Sequence, residues 1–518
     1  MHFELAFVLL FVIATAVAIG ARWLRVPYTV ALVLAGLGLG STNAFEAPHL
    51  TRELLFAVIL PGLIFEAAFH LEFKKFWKDK LAIHAMAVPG LVISVGVTAA
   101  ILAPAANVLE LAAGFGPMHA LVFGSIIAAT DPIAVVGLFK ALGAPPRLAA
   151  LVEGESLVND GTGVVVFTIA VAAATGAEVT VVSALGDFVR IAGLGLVVGL
   201  AVGWGVGQVI KQVDEPMIEL TLTMIAAYGS FVFAEHFHGS GVIATVAAGM
   251  ICGSWAARVG MSPTTRVAVE TFWEYLAFAL NSVVFLLIGF EVSLASLAAH
   301  WQPILVAFVA TLAGRVVVVY GVSALLRPTP SRLTAAETGV MSWAGLRGAL
   351  SMVLALSLPR EFTHRELLIH MTFGVVVLSI LAQGLTMSRL LSRLGLVGTR
   401  GPVQLAWEEQ RERARIAAAA AVELTRQRAD GAYTADLLDR LEAELSDRQK
   451  SAEAALKQLH QEQAWLSTED ERALRRRLLH AERDAVLGAQ RSGDLSEQVA
   501  EKLLAEVDLK LHGPSGAG

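Results

Sequence analysis

The sequence predicts an all-α polytopic membrane protein with a helical tail, and three observations support this fold class. Of the 518 residues, 56% are apolar and only 16% are charged, whereas a soluble globular domain is about a quarter charged. Apolar runs of roughly 20 residues, the length that crosses a bilayer as a helix, recur as far as residue 390. Beyond residue 400 the composition becomes highly charged. The single cysteine, Cys252, excludes a disulfide within the chain and a cysteine-based metal site.

The apolar runs predict about thirteen transmembrane helices. These spans cover residues 5–21, 27–43, 54–70, 82–106, 117–140, 147–174, 182–210, 217–236, 240–257, 269–294, 303–326, 334–358 and 367–390. Lysine and arginine are concentrated in alternate loops, as in the run Lys74, Lys75 and Lys78 after the third span. Because cytoplasmic loops carry the excess of these residues, the N-terminus is predicted outside and the C-terminus inside the cell (inner) membrane.

The region 401–518 is predicted to be a cytosolic tail, separate from the membrane domain of residues 1–400. It is rich in Ala, Leu, Glu, Arg and Gln, and its apolar residues recur at helical spacing. It carries no nucleotide-binding or metal-binding motif, so we interpret it as a solvated helical appendage or a dimer contact. The net charge of −6 is mild and says little about partners. No nucleic-acid partner is expected.

A polar cluster lies inside the sixth predicted span, at Glu155, Ser156, Asn159 and Asp160. Ser156, Asn159 and Asp160 are spaced i, i+3 and i+4, so their oxygens share one face of a helix. Acidic side chains at membrane depth are costly and typically handle ions or protons. Burial disfavours an ionised Asp160 and a bound cation favours it, so this carboxylate can hold either a proton or a cation. The alternative is that Asp160 only hydrogen-bonds a neighbouring helix.

Thr130, Asp131 and Pro132 interrupt the fifth predicted span near its middle. Proline removes a backbone donor and pushes the preceding residue out of the helical conformation. A helix broken at membrane depth places free carbonyls at an ion site, which makes the Thr130 carbonyl a candidate cation ligand. Asp131 precedes the second half-helix, where its charge offsets the positive helix end. A plain proline kink capped by Asp131 is the alternative.

A matching interruption is predicted in the twelfth span, where Arg347 lies between two glycines. Such glycines indicate close helix contact or local unwinding. Arg347 can neutralise Glu155 or Glu153, or compensate a negative half-helix end. Arg315, deep in the eleventh span, also needs a counter-charge, and the sequence leaves Glu153 and Glu155 as equal candidates.

These three motifs occur in the order and spacing of the monovalent cation:proton antiporter-1 family, the NhaP and NHE type of Na+/H+ exchanger, which residues 5–395 resemble. The resemblance implies thirteen spans with inverted repeats in an NhaA-like antiporter fold. It also implies a homodimer in which a core domain makes an elevator-like movement against a dimer-forming domain. The short tail resembles those of bacterial members.

The resemblance further implies a role for each motif residue. The family's cation site falls on Asp160, Ser156, Asp131 and the main chain of Thr130. Glu66, in the third span, corresponds to an acidic residue that reaches the ion through water, and Asn159 to a neighbour that orients the site. Glu155 and Arg347 correspond to a buried ion pair. An asparagine before the aspartate accompanies electroneutral exchange in this family, one cation for one proton.

The predicted function is therefore secondary active exchange of Na+ or Li+ for H+, and not enzymatic catalysis. The cation and the proton are substrates, and no cofactor is expected. A K+/H+ antiporter of the same family is the alternative, because these cations differ too little in size for sequence to separate them. A cation channel is disfavoured because no repeated carbonyl motif of a selectivity filter is present. A non-transporting sensor with the tail as its output is the remaining alternative.

Overall fold

The computed structural model describes residues 3–24, 28–41, 54–291, 294–396, 401–430, 433–462 and 465–492, with a few further residues between 495 and 507. All regular elements within these ranges are helices. The chain divides into two compact units, residues 1–397 and 398–518. The sequence predicts a domain boundary after residue 400. Residues 397–400 lie outside the described ranges, so this boundary stays a prediction.

The first unit consists of apolar helices. Those of its first half are α1 (Phe3–Leu24), α2 (Tyr28–Ser41), α3 (Leu55–His70), α4 (Phe73–Lys78), α5 (Lys80–Val108), α6 (Pro117–Ile126), α7 (Ile133–Leu142), α8 (Pro146–Ala174) and α9 (Val181–Ile210). Those of its second half are α10 (Pro216–His236), α11 (Gly241–Val259), α12 (Pro263–Glu291), α13 (Leu294–Ala299), α14 (Trp301–Leu325), α15 (Ala335–Trp343), α16 (Ala349–Leu356) and α17 (Arg365–Arg393).

Eight of the described helices are long and apolar enough to cross a membrane, namely α5, α8, α9, α10, α11, α12, α14 and α17. The 29 residues of α8 rise about 43 Å at 1.5 Å per residue, which exceeds the ~30 Å hydrocarbon core of a bilayer. Shorter apolar helices lie within α1, α2, α3 and α6. The predicted all-α polytopic fold is confirmed, while the count of thirteen crossings stays a prediction.

Two of the predicted spans are each divided into a pair of short helices. Residues 127–132, here called the first break, separate α6 from α7, and residues 344–348, the second break, separate α15 from α16. Pro132 is the last residue of the first break and stands directly before α7. Proline is tolerated at the start of a helix, because the N–H that it lacks would have no helical partner there and its fixed φ angle suits a helix. Each break leaves carbonyl and N–H groups without helical partners, so these groups must be satisfied by other elements.

The helices around the breaks pack closely through small residues. A Cβ added to Gly314 of α14 would lie only 2.8 Å from the Ser94 carbonyl oxygen of α5, so the backbones of these two helices approach too closely for any side chain there. On the other side, α8 packs against α6 and α11. This arrangement brings the side chains of α8 and α14 towards the two breaks.

The long described helices of the second unit are charged, and they are α18 (Gly401–Asp430), α19 (Ala435–Glu462) and α20 (Trp465–Ser492). α18 and α19 pack against one another. Arg428 near the end of α18 pairs with Asp439 and Glu442 of α19, both at 2.7 Å. Exposed ion pairs of this kind contribute little stability individually.

Candidate cation site

The polar face of α8 is joined to the first break by side-chain hydrogen bonds. The hydroxyl oxygens of Thr130 and Ser156 lie 2.8 Å apart. The Asn159 amide donates to the Ala128 carbonyl at 3.2 Å and to the Thr130 hydroxyl at 3.3 Å. Thr130, Ser156 and Asn159 are all buried. The structure therefore brings these three polar side chains into one cluster.

Asp131 links the two breaks. Its backbone N–H donates to the Leu346 carbonyl across the second break at 2.8 Å, and its carboxylate accepts from the Ile133 N–H at 3.0 Å, which caps α7. A Cβ on Gly348 would lie 2.2 Å from an Asp131 carboxylate oxygen. Only glycine at position 348 therefore leaves room for Asp131 in this conformation.

Asp160 lies one helical turn beyond Ser156, on the same face of α8, and is half-buried. It is within electrostatic range of Asp131 and Glu155. In the described part of the chain, no hydrogen bond or ion pair engages its carboxylate. The side-chain oxygen of Asn159 is likewise buried and accepts no hydrogen bond from the described residues. Free carboxylate and amide oxygens next to two hydroxyls are the donors that a small hard cation prefers.

Glu155 is neutralised by Arg315. The Arg315 guanidinium donates to both Glu155 carboxylate oxygens, at 2.7 and 2.9 Å, and both side chains are almost completely buried. The Nε of Arg315 also donates to the Met341 carbonyl at 3.1 Å. The structure thus decides between the two counter-charges left open for Arg315, and the predicted pairing of Glu155 with Arg347 is wrong.

Arg347 instead binds the backbone of the first break. Its guanidinium donates to the carbonyl oxygens of Ala128 and Ala129, at 2.6 and 3.2 Å. These carbonyls are available because the helix is interrupted there, and a planar guanidinium with several donors satisfies them well. The Arg347 backbone N–H donates to the Ser379 hydroxyl at 3.1 Å. Arg347 therefore holds the two breaks together and forms no ion pair with Glu155 among the described residues.

Glu66 lies on α3, beside His70 and Glu274. The His70 ring is 3.3 Å from the Glu66 carboxylate and 3.8 Å from that of Glu274. Among the described residues, no hydrogen bond or ion pair joins Glu66 to Thr130, Ser156 or Asp160. The predicted contact of Glu66 with the ion through water stays a prediction.

Sequence reasoning missed Ser379 and the Leu346 carbonyl, which hold the second break in place. Ser379 lies on α17 in an apolar segment and carries no local signal of this role. The Leu346 contact is made by the main chain, so its side chain gives no indication of it. Only the interruption of both helices, which the sequence did predict, points to unsatisfied backbone groups there.

Comparison with known proteins assigns the chain to a family. The profile of the family described as "Sodium/hydrogen exchanger, transmembrane" matches residues 7–393. The chain belongs to this family. It is 38% identical to the Na+/H+ antiporter ApNhaP of Aphanothece halophytica over 391 residues, 75% of this chain and 73% of that protein. It is 33% identical to the Na+/H+ antiporter NhaG of Bacillus atrophaeus over 524 residues, 96% of this chain and 95% of the relative.

A solved structure shares the fold. The sodium proton antiporter MjNhaP1 from Methanocaldococcus jannaschii superimposes with a TM-score of 0.62, at 20% identity, over 76% of this chain and 97% of that chain. At this identity the likeness concerns the fold alone. The chemistry of the site is therefore argued from the residues of this chain.

Proposed function

We propose that the chain is a secondary active antiporter that exchanges Na+ for H+, with Asp160 as the carboxylate that both substrates share. The observation that carries this proposal is the contrast between two neighbouring carboxylates on α8. Glu155 is fixed by two hydrogen bonds from Arg315, whereas Asp160 has no partner in the described part of the chain. Of the two, only Asp160 is free to exchange a proton for a cation.

The environment of Asp160 makes the two substrates compete. An unpaired ionised carboxylate next to Asp131 and Glu155 is unstable in a low-dielectric site, so it takes up either a proton or a cation. The Thr130 and Ser156 hydroxyls, 2.8 Å apart, present oxygens on the same side as Asp160. Asp131 adds negative charge, and its carboxylate is held in place by the Ile133 N–H. Binding of the cation therefore displaces the proton.

Coupling follows from the cost of moving an empty site. When Asp160 carries a proton or a cation its charge is compensated, and the site can pass the barrier between the two sides of the membrane. An ionised, empty site would carry an unpaired charge into low dielectric and so crosses slowly. Asn159 precedes Asp160 and carries no titratable proton. One exchanging carboxylate favours an electroneutral stoichiometry of one cation for one proton.

We also propose that the helices next to the two breaks make an elevator-like movement. Hydrogen bonds from Asp131 to Leu346 and from Arg347 to Ala128 and Ala129 tie the two interrupted helices together, so they would move as one rigid piece. We further propose a homodimer in the cell membrane, with the N-terminus outside and residues 401–518 in the cytosol, as the distribution of Lys and Arg indicates.

Exchange in proteoliposomes that report internal pH with a dye tests the proposal. Wild type is compared with Asp160→Asn and with Asp187→Asn, a matched control on α9 whose carboxylate is exposed and paired with Arg190 at 3.2 Å. We expect Na+ or Li+ to dissipate the proton gradient in wild type and Asp187→Asn, and not in Asp160→Asn. Normal exchange by Asp160→Asn would refute the assignment of the carboxylate.

The same assay separates the alternative functions. If K+ alone dissipates the gradient, the chain is a K+/H+ antiporter. Cation flux that is independent of the opposing pH gradient would indicate a channel. Removal of residues 401–518 should change the rate of exchange without abolishing it, whereas a chain that never exchanges cations would be a sensor.

A further inference from the structure

The short helix α4 carries two exposed aromatic rings next to its buried one. Phe76 is 5% exposed and faces the interior, where its ring would lie 3.0 Å from a Cβ added to Gly154 of α8. Phe73 and Trp77, one turn apart, are 38% and 55% exposed. Their rings stack with centroids 5.6 Å apart. Leu81, at the start of α5, is 50% exposed and extends the apolar surface.

Lysines flank these rings. Lys74 and Lys78 lie one turn apart on the adjoining face of α4 and are exposed. The Lys80 ammonium lies 3.7 Å from the centre of the Trp77 ring. In the described part of the chain, no carboxylate pairs with these three lysines.

The two acids near α4 are already engaged. Glu72 pairs with Lys75 at 2.5 Å. Asp79 is 4% exposed and accepts from Arg147 of α8 at 2.8 Å. The surface that α4 presents is therefore apolar on one side and positively charged on the next.

We infer that α4 binds the headgroup of an anionic phospholipid of the cytoplasmic leaflet. Tryptophan and phenylalanine lie preferentially at the membrane interface, with the rings towards the acyl chains. Lysine stems lie along apolar surface while their ammonium groups reach the phosphates. The unbalanced charge of Lys74, Lys78 and Lys80 selects an anionic headgroup over a zwitterionic one.

The lipid-binding helix adjoins the helix that carries the cation site. Asp79, directly after α4, binds Arg147, which also donates to Glu337 of α15 at 3.1 Å. The start of α8 is thus tied both to α4 and to the helix that leads into the second break. A lipid bound at α4 fixes the depth of this end of α8 in the membrane.

The test uses the full chain, delipidated in neutral detergent, with phosphatidylglycerol, phosphatidylcholine or inorganic phosphate added separately. Retained lipid is counted by native mass spectrometry, and stabilisation is measured by thermal unfolding. The variant Lys74→Gln/Lys78→Gln removes two exposed charges. Lys450→Gln/Lys457→Gln removes two exposed charges from the second unit and serves as the matched control.

We expect phosphatidylglycerol to bind and stabilise wild type and the control, and its apparent affinity to fall at least tenfold in Lys74→Gln/Lys78→Gln. Equal retention of phosphatidylglycerol by this variant, or equal retention of phosphatidylcholine by wild type, would overturn the inference. Stabilisation by inorganic phosphate alone would show a free-anion site and would also overturn it.

Fluorescence supplies a second readout that does not depend on loss of charge. Brominated phosphatidylglycerol should quench part of the tryptophan emission of wild type, and that part should be smaller in Trp77→Phe. Unchanged quenching in Trp77→Phe would contradict contact between the lipid and α4. Both measurements are independent of transport, so failure of the lipid inference and failure of the antiport proposal are distinguishable.

Discussion

The buried pair of Arg315 and Glu155 gives a sharp energetic prediction. Arg315→Met leaves the Glu155 carboxylate buried without the two donors at 2.7 and 2.9 Å. Removing one partner of a buried ion pair costs about 3–5 kcal/mol, which at about 1 °C per kcal/mol for a chain of this length lowers the melting temperature by about 3–5 °C. Glu155→Gln strands the Arg315 charge and should have a comparable effect. The double variant strands neither charge, so its loss should be about 2 kcal/mol smaller than the sum of the single losses.

The assay is thermal unfolding of purified protein in detergent, read by tryptophan fluorescence for the two single variants and the double variant. A parallel cycle with Arg347→Met and Glu155→Gln is the control, because Arg347 donates to backbone carbonyls. We expect the losses in this second cycle to add within about 1 kcal/mol. A larger coupling between positions 155 and 347 than between 155 and 315 would refute the assignment of the ion pair.

Two further substitutions test the geometry of the breaks and the site. Gly348→Ala should abolish exchange in proteoliposomes, because the added Cβ would collide with Asp131. The control Gly137→Ala should retain exchange, because a Cβ at position 137 has nothing within 4 Å. Normal exchange by Gly348→Ala would contradict the close contact. Ser156→Ala removes the hydroxyl that lies 2.8 Å from the Thr130 hydroxyl. It should raise the KM for the cation about tenfold, which is equivalent to about 1.4 kcal/mol. An unchanged KM would exclude Ser156 as a ligand.

The two breaks could be predicted from sequence because local chemistry causes them. Pro132 lacks a backbone N–H wherever it stands, and the residue before it is pushed out of the helix by sterics alone. The shared face of Ser156, Asn159 and Asp160 is equally local, since helical periodicity fixes it once α8 forms. These features depend on neighbours a few residues away along the chain.

The partner of Glu155 could not be predicted in this way. Arg315 and Arg347 are both arginines within predicted spans, and local chemistry does not separate them. The pairing of Glu155 with Arg347 came from the family resemblance, and the structure pairs Glu155 with Arg315 instead. Arg315 is 160 positions from Glu155 along the chain, and its approach depends on how closely α14 packs on α5 at Gly314. The sequence alone does not give the distance between α14 and α5.

The sequence by itself determined the all-helical membrane fold, the position of both interruptions and the polar face of α8, because hydropathy, proline chemistry and helical periodicity act locally. Only the tertiary structure decided that Arg347 binds the carbonyls of the first break, that Glu155 is neutralised by Arg315, and that the Asp160 carboxylate has no hydrogen-bond or ion-pair partner among the described residues. Pairing of buried charges depends on distances between helices that are remote in the chain, and packing alone sets those distances.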